Sequence, residues 1–98
     1  MSAALEPLNE QQRDIVMALY DLGAVGHNVE AHAVAGRLRR DFSWPTAMTS
    51  GSGVGQRLSK IESLGYVDSV DMGYMKQWTL SARGLRFAQE VRKGWRKG

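Results

Sequence analysis

The sequence predicts an α+β domain built from three helices, a small antiparallel hairpin and a fourth, C-terminal helix. Three observations predict it. Val54, Leu58 and Ile61 fall at i, i+4 and i+7, a stripe of branched apolar side chains that a helix buries on one side. Two runs of strand character, 66–70 and 76–80, flank a five-residue connection, Asp71-Met-Gly-Tyr-Met75, with glycine at its middle. Ser81 then stands as a helix cap ahead of Leu85, Ala88, Val91 and Trp95, which recur along one side, with Phe87 adding a second line of contact.

With 98 residues and 43% hydrophobic content, the chain suits one core and one domain spanning 1–98. A chain of about 100 residues buries somewhat over 60% of its unfolded surface. Residues 1–7 read as a flexible arm. The absence of cysteine removes disulfides, thiolate metal sites and cysteine nucleophiles together, and it fits a reducing compartment. No apolar run approaches the roughly 18 residues of a membrane span, and Met1-Ser-Ala-Ala-Leu lacks the basic start of a secretion signal. The expectation is a soluble, unprocessed, cytoplasmic protein. Its net charge of +3 is unevenly spread: residues 1–36 hold five acids and Arg13, net −4, and the remainder holds twelve cations and five acids, net +7. An acidic front and a basic back let one side face a polyanion while the other is repelled by it.

The first helix is expected at about 10–22. Asn9 caps it, Gln12 completes a capping box, Ile15, Val16, Leu19 and Leu22 form its buried stripe, and Gly23 with Gly26 ends it. Asn28 is placed as the cap of a second helix, whose face of Ala31, Val34, Ala35 and Leu38 is small enough for close approach by another helix. Arg37, Arg39 and Arg40 in its last turns serve either the helix dipole or a phosphate. Residues 41–49 form an apolar insertion, in which Phe42 and Trp44 are expected to pin a long turn to the core rather than to offer an exposed partner-binding loop. The third helix follows, and Gly65 supplies the left-handed residue at its end.

That third helix carries the chemistry. Ser52, Gln56, Ser59, Lys60 and Ser63 lie away from its apolar stripe, with Arg57 on the flank, and no carboxylate occupies the N-terminal half. Short hydrogen-bonders and cations of this kind suit an anionic surface. Gly53 and Gly55 each weaken the first turns by about 0.8–1 kcal/mol relative to alanine. In return, the helix N-terminus and the hydroxyls of Thr49, Ser50 and Ser52 gain access to a phosphate. The glycines do not make a nucleotide-binding loop, because Gln56 and Arg57 occupy the positions that need Lys and Ser or Thr, and no buried strand precedes them. His27 and His32 have no third ligand at a helical spacing, so no metal, and no other cofactor, is expected. No nucleophile and base stand at a recognisable spacing either, and the chain is not read as an enzyme.

The order of helix, glycine, aromatic, valine and strand, carried by Val54, Leu58, Ile61, Glu62, Gly65, Tyr66 and Val67, resembles the junction between recognition helix and wing in winged helix-turn-helix DNA-binding domains, especially the MarR-like group. Trp78-Thr-Leu-Ser-Ala-Arg-Gly84-Leu resembles that family's return strand and the cap of its last helix. The detailed likeness covers about 54–87. It implies sequence-specific binding of double-stranded DNA by a small transcriptional regulator, with the third helix in the major groove. There Gln56 would read adenine, Arg57 would reach guanine, and Ser50, Lys60 and Lys76 would hold phosphates. The hairpin, as the wing, would bring Tyr74 and Lys76 to the DNA. No small-molecule effector is evident. The rival reading keeps the fold but makes it an interaction module, with the insertion or the last helix as partner surface.

A homodimer is also expected. Phe87, Val91 and Trp95 continue an apolar line towards the chain end, farther than the core of one subunit is expected to reach. A two-fold partner covers that line, or Trp95 folds back on the first helix.

Overall fold

A computed structural model describes residues 8–97, with the side chains of 94–97 outside that description. Within this range the elements run α1 (Glu10–Asp21), β1 (Val29–Glu30), α2 (Ala31–Asp41), α3 (Gly51–Ser63), β2 (Val67–Asp71), β3 (Lys76–Leu80) and α4 (Ala82–Lys97), with a short 3-10 turn at Thr46–Met48. The architecture is α+β: four helices and one antiparallel sheet of three strands in the order β1-β3-β2. The proposed arm at 1–7 lies outside the described residues.

Helix α1 opens on the expected capping box. The Asn9 side chain accepts from the Gln12 N–H at 2.7 Å, and the Asn9 N–H donates to the Gln12 side chain at 3.0 Å. Its buried band is broader than a single stripe, since Ile15, Val16, Met17, Ala18 and Leu19 are all fully buried while Leu22 is half-buried. The reason is position: α1 touches α2, α3, α4 and β3, so little of its central turn meets water. It ends in a Schellman motif, with Gly23 at φ 76°, the Gly23 N–H on Tyr20 O and the Ala24 N–H on Leu19 O.

The structure departs from the sequence reading just after this point. Asn28 does not cap α2. Val29 and Glu30 instead form β1, pairing with Trp78 and Gln77 of β3, and Glu30 takes the cap position without a side-chain bond. The hairpin is therefore the larger part of a sheet, and the Trp78 strand is its middle. On β3 Trp78 and Leu80 face inward, 2% and 7% exposed, as their shared parity requires. Asp71 joins β2 opposite Lys76, which shortens the connection to 72–75. There Gly73 sits at φ 95° and Asp71 Oδ1 accepts its N–H at 2.9 Å.

The insertion is pinned to the core. Trp44 is 8% exposed, its indole Nε1 donates to Asp14 Oδ2 on α1 at 2.9 Å, and Phe42 packs half-buried against the core. The turn out of α2 places Ser43 at φ 59°, a left-handed conformation that a non-glycine residue adopts at some cost.

Val54, Leu58 and Ile61 of α3 are fully buried, as are Val34 and Leu38 of α2, and Ala35 on α2 is 2% exposed. Helix α3 ends like α1: Gly65 is at φ 90°, its N–H reaches Glu62 O, and the Tyr66 N–H reaches Ile61 O. Helix α4 locks onto that corner. Ser81 caps it by accepting from the Gly84 N–H at 3.1 Å, while its hydroxyl donates to Gly65 O at 2.7 Å and its N–H to Tyr66 O at 3.1 Å. Arg83 donates to Leu64 O at 3.0 Å. Farther along, Arg92 pairs with Asp21 and lies over the Tyr20 ring, tying α4 to α1. No helix among the described residues is long and apolar enough to cross a membrane.

Gly84 sets how closely α4 approaches, because a Cβ built there would stand 1.9 Å from the Tyr66 carbonyl oxygen. Gly84→Ala is expected to destabilise the protein by about 1–3 kcal/mol in urea unfolding, through overpacking. An unchanged midpoint would mean that the corner relaxes freely.

Candidate nucleic-acid interface

Burying Val54, Leu58 and Ile61 turns the opposite face of α3 to solvent, and Ser52, Gln56, Ser59, Lys60 and Ser63 are all exposed there. The face starts at Ser50, whose hydroxyl accepts from the Gly53 N–H at 3.1 Å and so caps the helix. At the other end Ser63 Oγ donates to the Lys60 carbonyl at 2.6 Å. The carboxylate of α3, on Glu62, is half-buried and accepts from Ser69 Oγ at 2.8 Å, which draws it towards β2 and away from this face.

Alongside the face runs a groove of about 450 Å³. One wall is α3, through Ser52, Gly55, Gln56 and Ser59. The second is the hairpin side, through Met75, Lys76 and Trp78, and the third is the start of α2, through Glu30, Ala31 and His32. Lys76 Nζ lies over the Trp78 ring, 5.8 Å from its centroid. Glu30 faces His32 at 3.1 Å.

The residues singled out in the sequence thus fall into distinct places. Ser52, Gln56 and Lys76 come together in the groove, with Ser50 and Lys60 exposed on the same helix. Tyr74 is 81% exposed at the end of the hairpin, beside Met72 and Val70, which are 45% and 41% exposed. Thr49 sits elsewhere: it is 3% exposed, its hydroxyl lies 3.1 Å from Thr46 O and 3.3 Å from Pro45 O, and Arg39 Nη1 donates to it at 3.1 Å. Its hydroxyl fixes the turn that delivers α3. Arg57 is half-buried, with Nη1 donating to Gly53 O at 3.3 Å, Nε towards Gln11 Oε1 at 3.5 Å, and the guanidinium 5.7 Å from the Trp44 ring centroid. It braces α3 against α1 and the insertion.

Of the expected dimer residues, Phe87 is half-buried with its ring edge-on to Tyr66 at 5.6 Å, and Val91 is half-buried against the core. The Trp95 side chain lies outside the described residues. Glu30, His32, Gly55 and Met75 were not foreseen in the groove. The first two arrive through the β1–β3 pairing, which no local pattern announces.

Chemically, this surface offers hydroxyls, an amide that both donates and accepts, and two exposed ammonium groups. Among the described residues no group of three or more His, Cys, Asp or Glu side chains is placed to hold a metal. Compared with known proteins, the chain matches no family model, no curated protein and no solved structure.

Thr49→Val keeps the shape of the side chain and removes the hydroxyl. It is expected to cost about 1–3 kcal/mol in thermal or urea unfolding, as the loss of a buried hydrogen-bonding group does. A variant as stable as the parent would show that the hydroxyl does not hold the turn.

Proposed function

We propose that the chain is a winged helix-turn-helix domain, similar to the MarR-like group, that binds double-stranded DNA as a small cytoplasmic transcriptional regulator. The observation that carries this reading is the outward face of α3, where Ser52, Gln56, Ser59 and Lys60 are exposed and free of carboxylates and continue into the groove that holds Lys76. In this reading α3 enters the major groove and the hairpin lies alongside it as the wing. Gln56 reads adenine through its amide, while Lys60, Lys76 and the Ser50 end of α3 meet phosphates. Arg57 takes a bracing role, since its guanidinium is already engaged with Gly53, Gln11 and Trp44.

A second reading, an interaction module, is favoured by the end of the hairpin. Val70, Met72 and Tyr74 are exposed there, and Asp68 and Asp71 beside them disfavour a phosphate backbone. Salt dependence separates the two. If about four phosphates are neutralised, the slope of log affinity against log salt is about −3.6. Gln56→Ala is expected to change preference at one base pair at a cost of about 1–3 kcal/mol on the best site, and Lys60→Ala to flatten the slope by about one. Absence of binding to mixed-sequence duplex at low salt would favour the interaction module.

A homodimer through α4 belongs to the DNA reading. Phe87 and Val91 are half-buried, and a groove of about 430 Å³ lies beside Phe87, lined also by Tyr66, Ala82, Arg83, Arg86 and Glu90. Two copies would set their α3 helices about 34–36 Å apart on a palindromic site. Sedimentation at micromolar concentration checks this: a dimer for the native protein and a folded monomer for Trp95→Ala are expected, and a native monomer sinks the idea.

A further inference from the structure

One glycine of α3 has no account inside the fold. A glycine is needed where φ is positive or where a neighbour leaves no room for a Cβ, and this chain shows both cases, in Gly65 at φ 90° and in Gly84 against the Tyr66 carbonyl. Gly53 is crowded as well, since its Cβ would stand 3.0 Å from the capping Ser50 Oγ. Gly55 meets neither condition. Its φ is not positive, a Cβ built there would have nothing within 4 Å, and Gly55 lines the α3 wall of the groove beside Gln56. Glycine is also among the weakest helix formers, so α3 carries a local weakness that its own packing does not require.

We infer that Gly55 sets how deeply duplex DNA seats on α3. Its bare backbone lets a DNA strand come into contact with the helix between Gln56 and Lys76, and any side chain there holds the duplex away. The inference rests on the reading of α3 as the DNA-binding helix. A DNA strand is the fitting occupant because Ser52, Gln56 and Ser59 supply hydrogen-bonding groups along one wall and Lys76 a cation on the other, while the Glu30 carboxylate of the third wall lies 3.1 Å from His32 Nδ1. Holding the duplex off by even a fraction of an ångström forfeits van der Waals contact along the wall and lengthens each hydrogen bond beside it.

The test separates stability from binding. Gly36 on α2 serves as the control, since it is also helical, has no positive φ and would have nothing within 4 Å of an added Cβ, yet it does not line the groove. Gly55→Ala and Gly36→Ala are each expected to raise the melting temperature by about 4–8 °C. Against mixed-sequence duplex DNA at low salt, Gly36→Ala is expected to bind like the parent, Gly55→Ala about tenfold more weakly, and Gly55→Leu more weakly still. Equal affinity of Gly55→Ala and the parent overturns the inference and leaves the DNA reading standing. A lowered melting temperature for Gly55→Ala overturns it too, because the fold would then need the glycine. A parent that does not bind the duplex at all overturns both.

Discussion

Three consecutive backbone carbonyls, those of Leu64, Gly65 and Tyr66, hold the molecule in register. Each takes a donor from the segment that leaves β3 and begins α4: Arg83 Nη1, Ser81 Oγ and the Ser81 N–H respectively. Leu64, the C-cap of α3, is among the carbonyls that a helix leaves without partners, so a donor is needed there in any case. Supplying them from α4 joins the end of the third helix, the start of β2, the end of β3 and the fourth helix at one point. Packing at the same point is tight, with Gly84 against Tyr66 O and the Arg83 guanidinium 5.0 Å from the Tyr66 ring centroid. The angle between hairpin and α3 is set here, and with it the width of the groove.

The opposite end of α3 is held by different means. Trp44 comes from the long connection between α2 and α3, bonds to Asp14 of α1 and lies under Arg57 of α3, so a single indole links three segments. Thr49 and Arg39 then fasten the last turn of that connection. Held at both ends and buried along one side, α3 keeps its polar face in a fixed orientation. Gln56, Ser59 and Lys60 are exposed, and changing them is not expected to disturb the core.

Much of this architecture was legible in the residues. Asn9 with Gln12, the Val54, Leu58 and Ile61 stripe, Gly65, the hairpin around Gly73 and the Ser81 cap are all local signals, and each names an element that the structure contains. What escaped notice depends on contacts between distant segments. Strand β1 has only two residues, too short for any alternation to show, and it exists because β3 offers it an edge. Gly84 looks like an ordinary helical glycine until Tyr66 O is placed beside it. Thr49 reads as an exposed hydroxyl at a helix start until its own turn closes on it, and Arg57 as an exposed cation until Trp44 is placed beside it. The groove shares that character: its three walls come from segments well apart in the chain, so the sequence could show Gln56 and Lys76 as polar but not as neighbours.

The loop after α1 also constrains the order in which this chain can acquire its structure during synthesis. The Ala24 carbonyl accepts both the Leu80 N–H and the Thr79 hydroxyl, each at 2.8 Å, and Val29 pairs with Trp78. The loop after α1 is therefore closed by residues of β3, which lie 55 positions farther along the chain in the Ala24–Thr79 contact. A nascent chain that has released only its first three helices has neither a strand to pair with β1 nor the indole of Trp78 to cover its core. Such long-range closure slows folding. For this protein it means that α1, α2 and α3 cannot complete the sheet or the cover of their core until β3 is present to pair with β1.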